Sequence, residues 1–463
     1  MLLIGGEWQD SREHLDVLRP SDGTVQGSVA IASAEHTKAA VRAARDAVSR
    51  PLSSHRRAEL LRGVHRIVEA DSEAFSQEIC GESGKAIREC RQEVERALVT
   101  LELSAQEALR LEGAVLPCDV TAQEFPQRAM AVRVPLGVVA AITPFNFPIN
   151  VPMHKFGPAL AAGNAVVFKP SPKTPLTGNR LGQAFIDAGW PPGWFNILHG
   201  GDDVVEALVA SDIQAINLTG GTAAGRAVTR HSFGKRVLLE LGGNDPLILD
   251  EGADLETALG IAVAQRFGSS GQRCTSFKRL FVHDSLYEEA LERLVPKVEA
   301  LVVGDPFDEA TDIGPLVSEQ AAEAVEARLH SFTSAGARVL TGGTRRGPYV
   351  QPTVVVDLDP LHPEALEETF GPLLPVYRFD DLSEVIHAVN ASPYGLQAGV
   401  FSDRLSRIRE LFDQLEVGTL IVNHGPNFRV ESLPFGGVKQ SGIGREGVRF
   451  AVEELSELKT LVF

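Results

Sequence analysis

The sequence predicts an α/β protein in which parallel sheets are covered by helices on both faces. Between residues 137 and 250, short and continuously apolar segments alternate with amphipathic ones, as buried parallel strands alternate with their helices. A second alternating region runs from about residue 254 to residue 422. The chain of 463 residues is too long for one compact core, so we expect two or three domains.

The first hundred residues are predicted to be mainly helical. A serine cap opens the run of good helix formers "SAEHTKAAVRAARDAVSR", and "SSHRRAELLRGVHRIVEADSEAFSQEICGESG" continues in the same pattern. Strands beside a proline-containing turn are then expected at "EGAVLPCDV" and "QRAMAVRVPLGVVAAI". The chain ends in "ELSELKTLVF", an apolar strand without a local partner, which favours pairing with another domain or another subunit.

The two alternating regions supply the remaining elements in order. Predicted strands of the first region are "GVVAAIT", "AVVFKPS", "WFNILHG", "AINLTGG" and "KRVLLELGG". Its predicted helices are "NVPMHKFGPALAAG", "TPLTGNRLGQAFIDAG", "DVVEALVAS" and "AAGRAVTRHS". The second region offers the strand "KRLFVHD" and helices in "DLETALGIAVAQRF", "LYEEALERLVPKVEALVVG", "VIHAVNAS" and "SRIRELFDQL". In such sheets a ligand binds beyond the carboxyl ends of the strands, so we expect the site there.

Composition excludes several classes of protein. The formal net charge of −17 argues against a nucleic acid or an anionic membrane as the main partner, and no apolar run is long enough for a membrane span. The four cysteines are widely spaced without a C-x-x-C pair, which disfavours a disulfide framework or a zinc site and favours a cytoplasmic location. The twelve histidines form no H-E-x-x-H pair, so we expect no metal.

Two glycine-rich segments compete as the phosphate-binding turn. "SGIGREG" spells G-x-G-x-x-G, but a loop rather than a buried strand precedes it, so we interpret it as a loop near an interface. In "NLTGGTAAGRAV" a strand precedes Gly220, Gly221 and Gly225 and a helix follows, which suits a pyrophosphate; a plain tight turn is the alternative. Lys169 ends another strand, where it is either a ligand-binding group or a solvated lysine.

Cys274 has unusual neighbours in "FGSSGQRCT". Gly268 and Gly271 leave room around the sulfur, Arg273 would favour the thiolate, and a helix beginning at Cys274 would add its dipole. These features suit a nucleophile. The alternative is an inert cysteine buried in a loop.

Two further residues follow strands and could serve the same chemistry. Glu240 ends an apolar strand, where partial desolvation would raise its pKa toward that of a general base; the alternative is an ion-paired strand end. The amide of Asn146, in "ITPFNFP", could donate a hydrogen bond to an oxyanion, or Asn146 could be an ordinary turn residue.

Taken together, these segments resemble the aldehyde dehydrogenase superfamily over nearly the whole chain. The motifs, in order, are "TPFNFP", "KPSPKTP", "LTGGTAAG", "LELGGND", "FGSSGQRCT", "EETFGPLLPV" and "LPFGGVKQSGIGREG". The resemblance implies that Cys274 attacks the aldehyde, that Asn146 stabilises the oxyanion and that Glu240 activates the hydrolytic water. It implies NAD as the cofactor, with NADP possible, held by Thr143, Phe145, Lys169, Gly220, Gly221, Gly225, Leu241, Glu368 and Phe370.

The resemblance also implies an architecture. A Rossmann-like NAD(P)-binding domain would comprise residues 1–116 and 136–242, and an α/β catalytic domain residues 243–450. Residues 117–135 and 451–463 would form a small β excursion that joins subunits into a homodimer or a dimer of dimers.

Two departures and three arginines bear on specificity. Phe145 stands where many relatives have tryptophan, and Pro172 stands where many NAD-preferring relatives have a glutamate that repels a 2′-phosphate. "GQRCT" and "FRVESLPFGG" resemble the branch that acts on lactaldehyde, glyceraldehyde-3-phosphate and phosphonoacetaldehyde, so we expect a small anionic or hydroxylated aldehyde. The substrate-binding residues would be Arg273, Thr275 and Arg429, with Arg96 or Arg91 as a third arginine.

Two alternatives stay open. One is a CoA-acylating semialdehyde dehydrogenase of the same fold, although those relatives lack the glutamate that Glu240 supplies in this chain. The other is a catalytically silent structural or binding protein on this scaffold, against which the joint presence of Cys274, Glu240, Asn146 and Lys169 argues.

Overall fold

A computed structural model describes residues 1–121, 123, 125 and 127–463. In the first half of the chain the strands are β1 (Leu2–Ile4), β2 (Glu7–Gln9), β3 (His14–Leu18), β4 (Val25–Ala30), β5 (Ala114–Leu116), β6 (Ala129–Pro135), β7 (Val138–Ile142), β8 (Ala165–Lys169), β9 (Phe195–Ile197), β10 (Ala215–Thr219) and β11 (Arg236–Glu240). The helices of this half are α1 (Ala34–Val48), α2 (Ser54–Ala70), α3 (Ser72–Ser83), α4 (Ile87–Ala108), α5 (Asn150–Ala162), α6 (Pro175–Asp187), α7 (Asp202–Ala210) and α8 (Thr222–Arg230).

In the second half the strands are β12 (Pro246–Leu249), β13 (Arg279–His283), β14 (Arg338–Thr341), β15 (Arg345–Arg346), β16 (Tyr349–Val350), β17 (Thr353–Val356), β18 (Leu373–Phe379), β19 (Tyr394–Gly395), β20 (Gln397–Phe401), β21 (Thr419–Val422), β22 (Val438–Lys439), β23 (Gly442–Ile443) and β24 (Ser456–Val462). The helices are α9 (Leu255–Phe267), α10 (Asp284–Glu299), α11 (Glu319–Ser334), α12 (Pro363–Leu366), α13 (Leu382–Asn390), α14 (Leu405–Gln414) and α15 (Val448–Glu454).

The first sheet has eight strands in the order β2-β1-β9-β8-β7-β10-β11-β23. Its five central strands are parallel, and β1, β2 and β23 add antiparallel pairings at the edges. Alternate residues of β7 enter different cores: Val139 and Ala141 pack with α2, α4, α5 and α6, and Val138 and Ala140 pack with α1 and α7. This period of two on a doubly covered sheet explains why the strands are apolar throughout.

The second sheet has seven strands in the order β14-β17-β18-β13-β12-β20-β21, parallel except for the antiparallel edge strand β14. Helices α9 and α10 cover one face, while α11, α13 and α14 cover the other. The predicted α/β class with two covered parallel sheets is therefore confirmed.

A third sheet pairs distant parts of the chain. The terminal strand β24 runs antiparallel to β6 in register from Ser456 opposite Pro135 to Val462 opposite Ala129, and β5 pairs with the other edge of β6. Two details differ from the expected division of the chain. Strand β5 lies within residues 1–116 yet belongs to this third sheet, and β23 lies within residues 243–450 yet hydrogen-bonds to β11 of the first sheet.

Local predictions were wrong at several points. The N-terminal region is mainly helical, as predicted, although β3 and β4 were not foreseen, and "EGAVLPCDV" keeps only the three-residue strand β5. Helix α10 ends at Glu299, before the predicted apolar "LVVG". Within the described residues, no helix is long and apolar enough to cross a membrane, and no group of three acidic, histidine or cysteine side chains is arranged to hold a metal ion.

Candidate active site

Four of the predicted motifs meet at the carboxyl edge of the first sheet. Strands β7, β8, β10 and β11 are adjacent and in register, with Ile142 opposite Lys169 and Thr219 opposite Glu240. Because parallel strands end at one edge, the segments after these residues lie side by side. The sheet therefore gathers residues that are separated by about a hundred positions in the sequence.

One part of this edge, which we call the cofactor edge, consists of Lys169, Thr219 and the N-terminus of α8. The N-cap of α8 is Gly221, which supplies no side-chain cap, so the first N–H groups of the helix are open to an anion. A Cβ at Gly221 would meet no atom within 4 Å, and the buried hydroxyl of Thr219 has no hydrogen-bond partner among the described residues. These groups fit the pyrophosphate of a dinucleotide.

Gly225 contributes differently from the other two glycines. It is buried in the first turn of α8, and a Cβ built on it would lie 2.5 Å from Leu241 Cδ1. Its lack of a side chain therefore lets α8 pack against Leu241. Leu241 also fixes its own turn, because its N–H donates to the carbonyl of Ser441 at 2.8 Å.

Lys169 is a buried cation without a fixed partner. Its side chain has no hydrogen bond or ion pair within the described part of the chain, and the residue is 5% exposed. Burial lowers the pKa of Lys169 to about 8, and the charges of Asp202 and Asp203 act in the opposite direction. Such an ammonium gains from any polar ligand that reaches it, as a ribose hydroxyl would.

Four further predicted cofactor residues, Thr143, Phe145, Glu368 and Phe370, make contacts within the protein. The N–H of Thr143 donates to the carbonyl of Lys169 at 3.2 Å. The rings of Phe145 and Phe370 meet edge to face with centroids 6.1 Å apart. A carboxylate oxygen of Glu368 accepts the N–H of Gly243 at 3.1 Å and lies 3.4 Å from a buried ammonium, Lys278 Nζ.

The segment 268–274, which we call the nucleophile loop, carries Cys274 from the end of α9. Ser269 and Ser270 adopt the left-handed region, with φ of 50° and 56°, which is costly for residues other than glycine. Cys274 lies in a turn, so the helix dipole that a helix start would have supplied is absent. Burial raises the pKa of the Cys274 thiol to about 12, against the effect of Lys278, which donates to the carbonyl of Cys274.

Asn146 lies directly beside this loop. Its Nδ2 donates to the carbonyl of Gln272 at 2.8 Å, two residues before Cys274. The N–H of Cys274 has no acceptor within the described ranges. An oxygen atom bound at this point could therefore receive hydrogen bonds from both the amide and the backbone.

Glu240 is buried at the end of β11, and its Oε2 has no hydrogen-bond partner among the described residues. Burial raises the pKa of Glu240 well above its usual range, and the nearby charge of Glu446 adds to this. Its negative charge is also one of those that raise the pKa of Cys274. An unpartnered carboxyl of raised pKa close to a thiol has the properties of a general base.

Charged side chains line the neighbouring region, which we call the charged crevice and define by Arg96, Lys155, Arg429, Glu431 and Glu446. Lys155 and the two glutamates are buried, whereas the side chains of Arg429 and Arg96 are 12% and 34% exposed. The carboxylate of Glu446 accepts Lys155 at 3.0 Å and Arg429 at 2.9 Å. Although burial raises it, the charges of Lys155 and Arg429 lower the pKa of Glu446 to about 2. Glu431 pairs with Arg96 at 2.7 Å.

The three predicted substrate residues already have protein partners. Arg273 donates to Glu89 at 2.6 Å and packs over Phe147, so it is not aimed at the sulfur of Cys274. The hydroxyl of Thr275 donates to Asn427 at 2.7 Å. Arg429 lies 3.9 Å above the ring of Phe435 in addition to its pair with Glu446.

Sequence reasoning missed several residues that shape the site. The charges of Lys155 and Glu446 act on Glu240, and Lys278 donates to the carbonyl of Cys274. The buried Arg266 donates to the carbonyls of Thr369, Gly371 and Leu373, which flank Phe370. Charged residues inside otherwise apolar or glycine-rich runs, such as "MHKFGPAL" for Lys155, were the available signal.

Comparison with known proteins agrees with this geometry. The profile of the "Aldehyde dehydrogenase family" matches residues 8–461. A sulfoacetaldehyde dehydrogenase of Neptuniibacter caesariensis is 42% identical over 89% of this chain and 91% of its own. A 3-sulfolactaldehyde dehydrogenase of Priestia aryabhattai is 38% identical over 100% and 97%. The crystal structure of an NADP-dependent glyceraldehyde-3-phosphate dehydrogenase from Bacillus halodurans C-125, complexed with NADP, has a TM-score of 0.97 at 36% identity, covering 100% of this chain and 98% of that one.

The family match covers nearly the whole chain, and the fold agrees over its full length. The predicted function as an NAD(P)-dependent aldehyde dehydrogenase is thereby confirmed, and with it the cofactor class. The chain therefore belongs to the aldehyde dehydrogenase family.

Proposed function

We propose that this enzyme oxidises a two- or three-carbon aldehyde that carries a sulfonate, phosphonate or phosphate group, and that Cys274, Asn146 and Glu240 perform the chemistry. The observation that carries the substrate class is the set of buried nitrogen atoms in and beside the charged crevice. His154 Nδ1 and Arg429 Nε are buried without a hydrogen-bond partner among the described residues, and Arg96 Nη2 lies beside them, where it pairs with Glu431 at 2.7 Å.

These nitrogens share one neighbourhood. Burial lowers the pKa of Arg96, and the positive charges of Arg429 and Arg273 contribute. His154 Nε2 lies 3.9 Å from Glu431 Oε1, the carboxylate that also pairs with Arg96. Donors that already have one acidic partner and retain a free N–H can bind a further anion without leaving a buried charge uncompensated. The relatives named for sulfoacetaldehyde, 3-sulfolactaldehyde and glyceraldehyde-3-phosphate support an anionic substrate.

Catalysis would begin with attack of the Cys274 sulfur on the aldehyde carbon. The thiol must first lose its proton to the solvent, because its raised pKa keeps it neutral near pH 7. A C–S bond forms and the carbonyl oxygen becomes an oxyanion, which the Asn146 amide and the N–H of Cys274 would stabilise. When bound, NAD(P)⁺ would supply the hydride acceptor, and loss of hydride from the former aldehyde carbon would leave a thioester on Cys274.

Hydrolysis would follow at Glu240. Its carboxylate takes a proton from a water molecule, and the hydroxide oxygen adds to the thioester carbon. The C–S bond then breaks and Glu240 returns the proton to the sulfur, which releases the carboxylic acid and the Cys274 thiol. Burial raises the pKa of Glu240, so its carboxylate is a stronger base than an ordinary glutamate, and only the ionised form can take the proton. Hydrolysis should therefore accelerate as the pH rises.

We also propose NAD as the preferred cofactor, with NADP accepted. Pro172 carries no charge that would repel a 2′-phosphate, whereas Asp202 and Asp203 follow β9 beside Lys169, and their negative charges would repel a 2′-phosphate.

Two further inferences concern the oligomeric state and the location of the enzyme. Its third sheet exposes the apolar side chains of Val115, Leu458 and Leu461, which supports a homodimer or a dimer of dimers formed there, and four free cysteines support a cytoplasmic location.

One experiment tests the substrate class. Steady-state kcat/KM is measured with both cofactors for sulfoacetaldehyde, glyceraldehyde-3-phosphate, lactaldehyde and hexanal, in the wild type, in Arg96→Gln and in Arg91→Gln. Arg91 is the matched control, because it lies on the same helix and pairs at the surface with Glu73 and Glu309.

We expect Arg96→Gln to lower kcat/KM about tenfold or more for the two anionic aldehydes and to leave lactaldehyde unchanged. Arg91→Gln should leave all four values unchanged. A wild-type preference for hexanal, or an equal loss for every substrate in Arg96→Gln, would overturn the proposed substrate class.

A further inference from the structure

Helix α4 is in contact with both loops that carry the proposed chemistry. Its residues Glu89, Glu93, Arg96 and Thr100 recur at intervals of four, three and four, so they lie on one face of the helix. That face meets the nucleophile loop, then the segment 146–150, which we call the oxyanion loop, and then the charged crevice. One helix thus contacts both loops and the charged crevice.

Glu89 holds the nucleophile loop. Both of its carboxylate oxygens accept the N–H of Ser269, at 3.0 and 2.8 Å, and one also accepts the Ser269 hydroxyl at 3.0 Å. The other accepts Arg273 at 2.6 Å. Ser269 is one of the two left-handed serines of the loop, and such a conformation persists where surrounding contacts enforce it. The carboxylate of Glu89 supplies those contacts on both sides of Ser270.

Glu93 and Lys85 hold the oxyanion loop from the other side. One oxygen of Glu93 accepts the N–H groups of Ile149 and Asn150, at 2.9 and 3.1 Å, and the other pairs with Lys85. Lys85 Nζ then donates to the main-chain carbonyl of Asn146 at 3.0 Å. Both side chains of the pair are at most 3% exposed. The backbone of Asn146 is thereby fixed through a buried ion pair.

Phe147 lies between the two anchors. Lys85 Nζ lies 4.3 Å from its ring centroid, and the guanidinium carbon of Arg273 lies 5.7 Å from the same centroid. Lys85, which anchors the oxyanion loop, and Arg273, which belongs to the nucleophile loop, therefore pack against one aromatic ring next to Asn146. The two loops are coupled through this ring as well as through α4.

We propose that Lys85, Glu89 and Glu93 are positioning residues that set the place of the Asn146 amide relative to the Cys274 sulfur. The proposal rests on the proposed catalytic roles of Asn146 and Cys274. A buried ion pair contributes little net stability compared with apolar residues of the same size, so the hydrogen bonds that it directs are the better account of its presence. Oxyanion stabilisation requires donors placed to within a fraction of an ångström, which these bonds provide.

A double-mutant cycle tests the oxyanion arm. Lys85→Met is made in the wild type and in Asn146→Ala, and kcat, KM and the Kd for NAD⁺ are measured. If Lys85 acts through Asn146, its loss lowers kcat about tenfold or more in the wild type, with KM and Kd unchanged, and lowers it no further in Asn146→Ala. Arg407→Met is the matched control, because Arg407 pairs at 3.0 Å with the buried Asp250 away from both loops; it should not change kcat.

Glu89→Gln tests the nucleophile arm and does not depend on the folding of Lys85→Met. The alkylation rate of Cys274 by iodoacetamide is measured in a Cys118→Ser background, since Cys118 is the other partly exposed cysteine among the described residues. We expect Glu89→Gln to change this rate severalfold and to lower kcat in both Asn146 backgrounds, and Lys85→Met to leave the rate unchanged.

Different results would contradict the positioning roles on α4 and the catalytic role of Asn146. An equal loss of kcat for Lys85→Met in both backgrounds, or an unchanged alkylation rate in Glu89→Gln, overturns the positioning proposal. A wild-type kcat in Asn146→Ala instead overturns the proposed role of Asn146 in stabilising the oxyanion.

Discussion

The cofactor edge and the charged crevice lie side by side but satisfy their polar groups in opposite ways. At the cofactor edge, Lys169 and the hydroxyl of Thr219 are buried without partners in the described protein, and the N-terminus of α8 is uncapped. In the crevice, Glu446 binds Lys155 and Arg429, and Glu431 binds Arg96. The polar groups of the cofactor edge remain available to a ligand, whereas the charges of the crevice are paired with opposite charges of the protein.

This difference indicates two ways of building a binding surface. An unpartnered group costs stability until a ligand reaches it, so a ligand that satisfies the group stabilises the folded protein. A compensated charge costs less in the free protein and can still bind an anion through its remaining N–H groups. Substitutions in the crevice should therefore mainly change the free energy of unfolding, and those at the cofactor edge should also change the Kd for NAD⁺. The loss of a buried carboxylate in the crevice should have the largest effect on the free energy of unfolding.

Glu446→Gln should destabilise the protein by removing the central carboxylate of the crevice. The substitution leaves Lys155 and Arg429 buried without their shared carboxylate, so we expect the free energy of unfolding to fall by about 3 kcal/mol or more. Denaturant unfolding followed by fluorescence measures it. Glu416→Gln, which removes the exposed partner of Lys439, should cost less than about 1 kcal/mol. Equal losses in the two variants would contradict the importance of the buried pairs.

Gly225→Ala and Gly221→Ala should separate packing from ligand access at the cofactor edge. A Cβ at Gly225 would collide with Leu241, so we expect a loss of about 1 to 3 kcal/mol in unfolding free energy. A Cβ at Gly221 meets no atom, so stability should be unchanged while the Kd for NAD⁺ rises. Thermal unfolding and titration of intrinsic fluorescence provide the two measurements. If neither variant binds NAD⁺ more weakly than the wild type, this turn does not bind the pyrophosphate.

Lys169→Met should stabilise the protein while weakening cofactor binding. The pKa of Lys169 is about 8 when folded and 10.5 for an ordinary lysine, so burial of the ammonium opposes folding fully below pH 8 and this penalty fades as the pH rises toward 10.5. We expect a gain of about 1 to 2 kcal/mol at pH 7 that shrinks above pH 8. Unfolding curves at several pH values measure the gain. A loss of stability at pH 7 would mean that Lys169 has a protein partner in solution.

The cofactor edge was largely predictable from the sequence, and the crevice was not. Gly220, Gly221 and Lys169 belong to short motifs in which a strand, a turn and a helix follow one another, and local patterns report such units. The edge brings the motifs together because parallel strands share one carboxyl end, which the alternation of elements already implied.

The crevice depends on pairs that no local pattern contains. Arg96 and Glu431 are separated by 335 positions, and Lys155 and Glu446 by 291. For the same reason Arg273 was expected to act on the neighbouring sulfur, whereas the structure pairs it with Glu89, 184 positions away. A sequence shows which residues are charged, but the residue that each of them pairs with depends on how the helices and loops pack.

The spacing of Glu89 and Glu93 on α4 restricts where residues can be inserted into or deleted from this chain. Each residue added to a helix rotates everything after it by about 100° and shifts it by 1.5 Å. A single insertion between Glu89 and Glu93 would keep the first contact with the nucleophile loop and turn Glu93 and Arg96 away from theirs. Libraries that vary the chain by insertion or deletion should therefore tolerate changes in surface loops such as 357–362 and reject them in this one turn of helix.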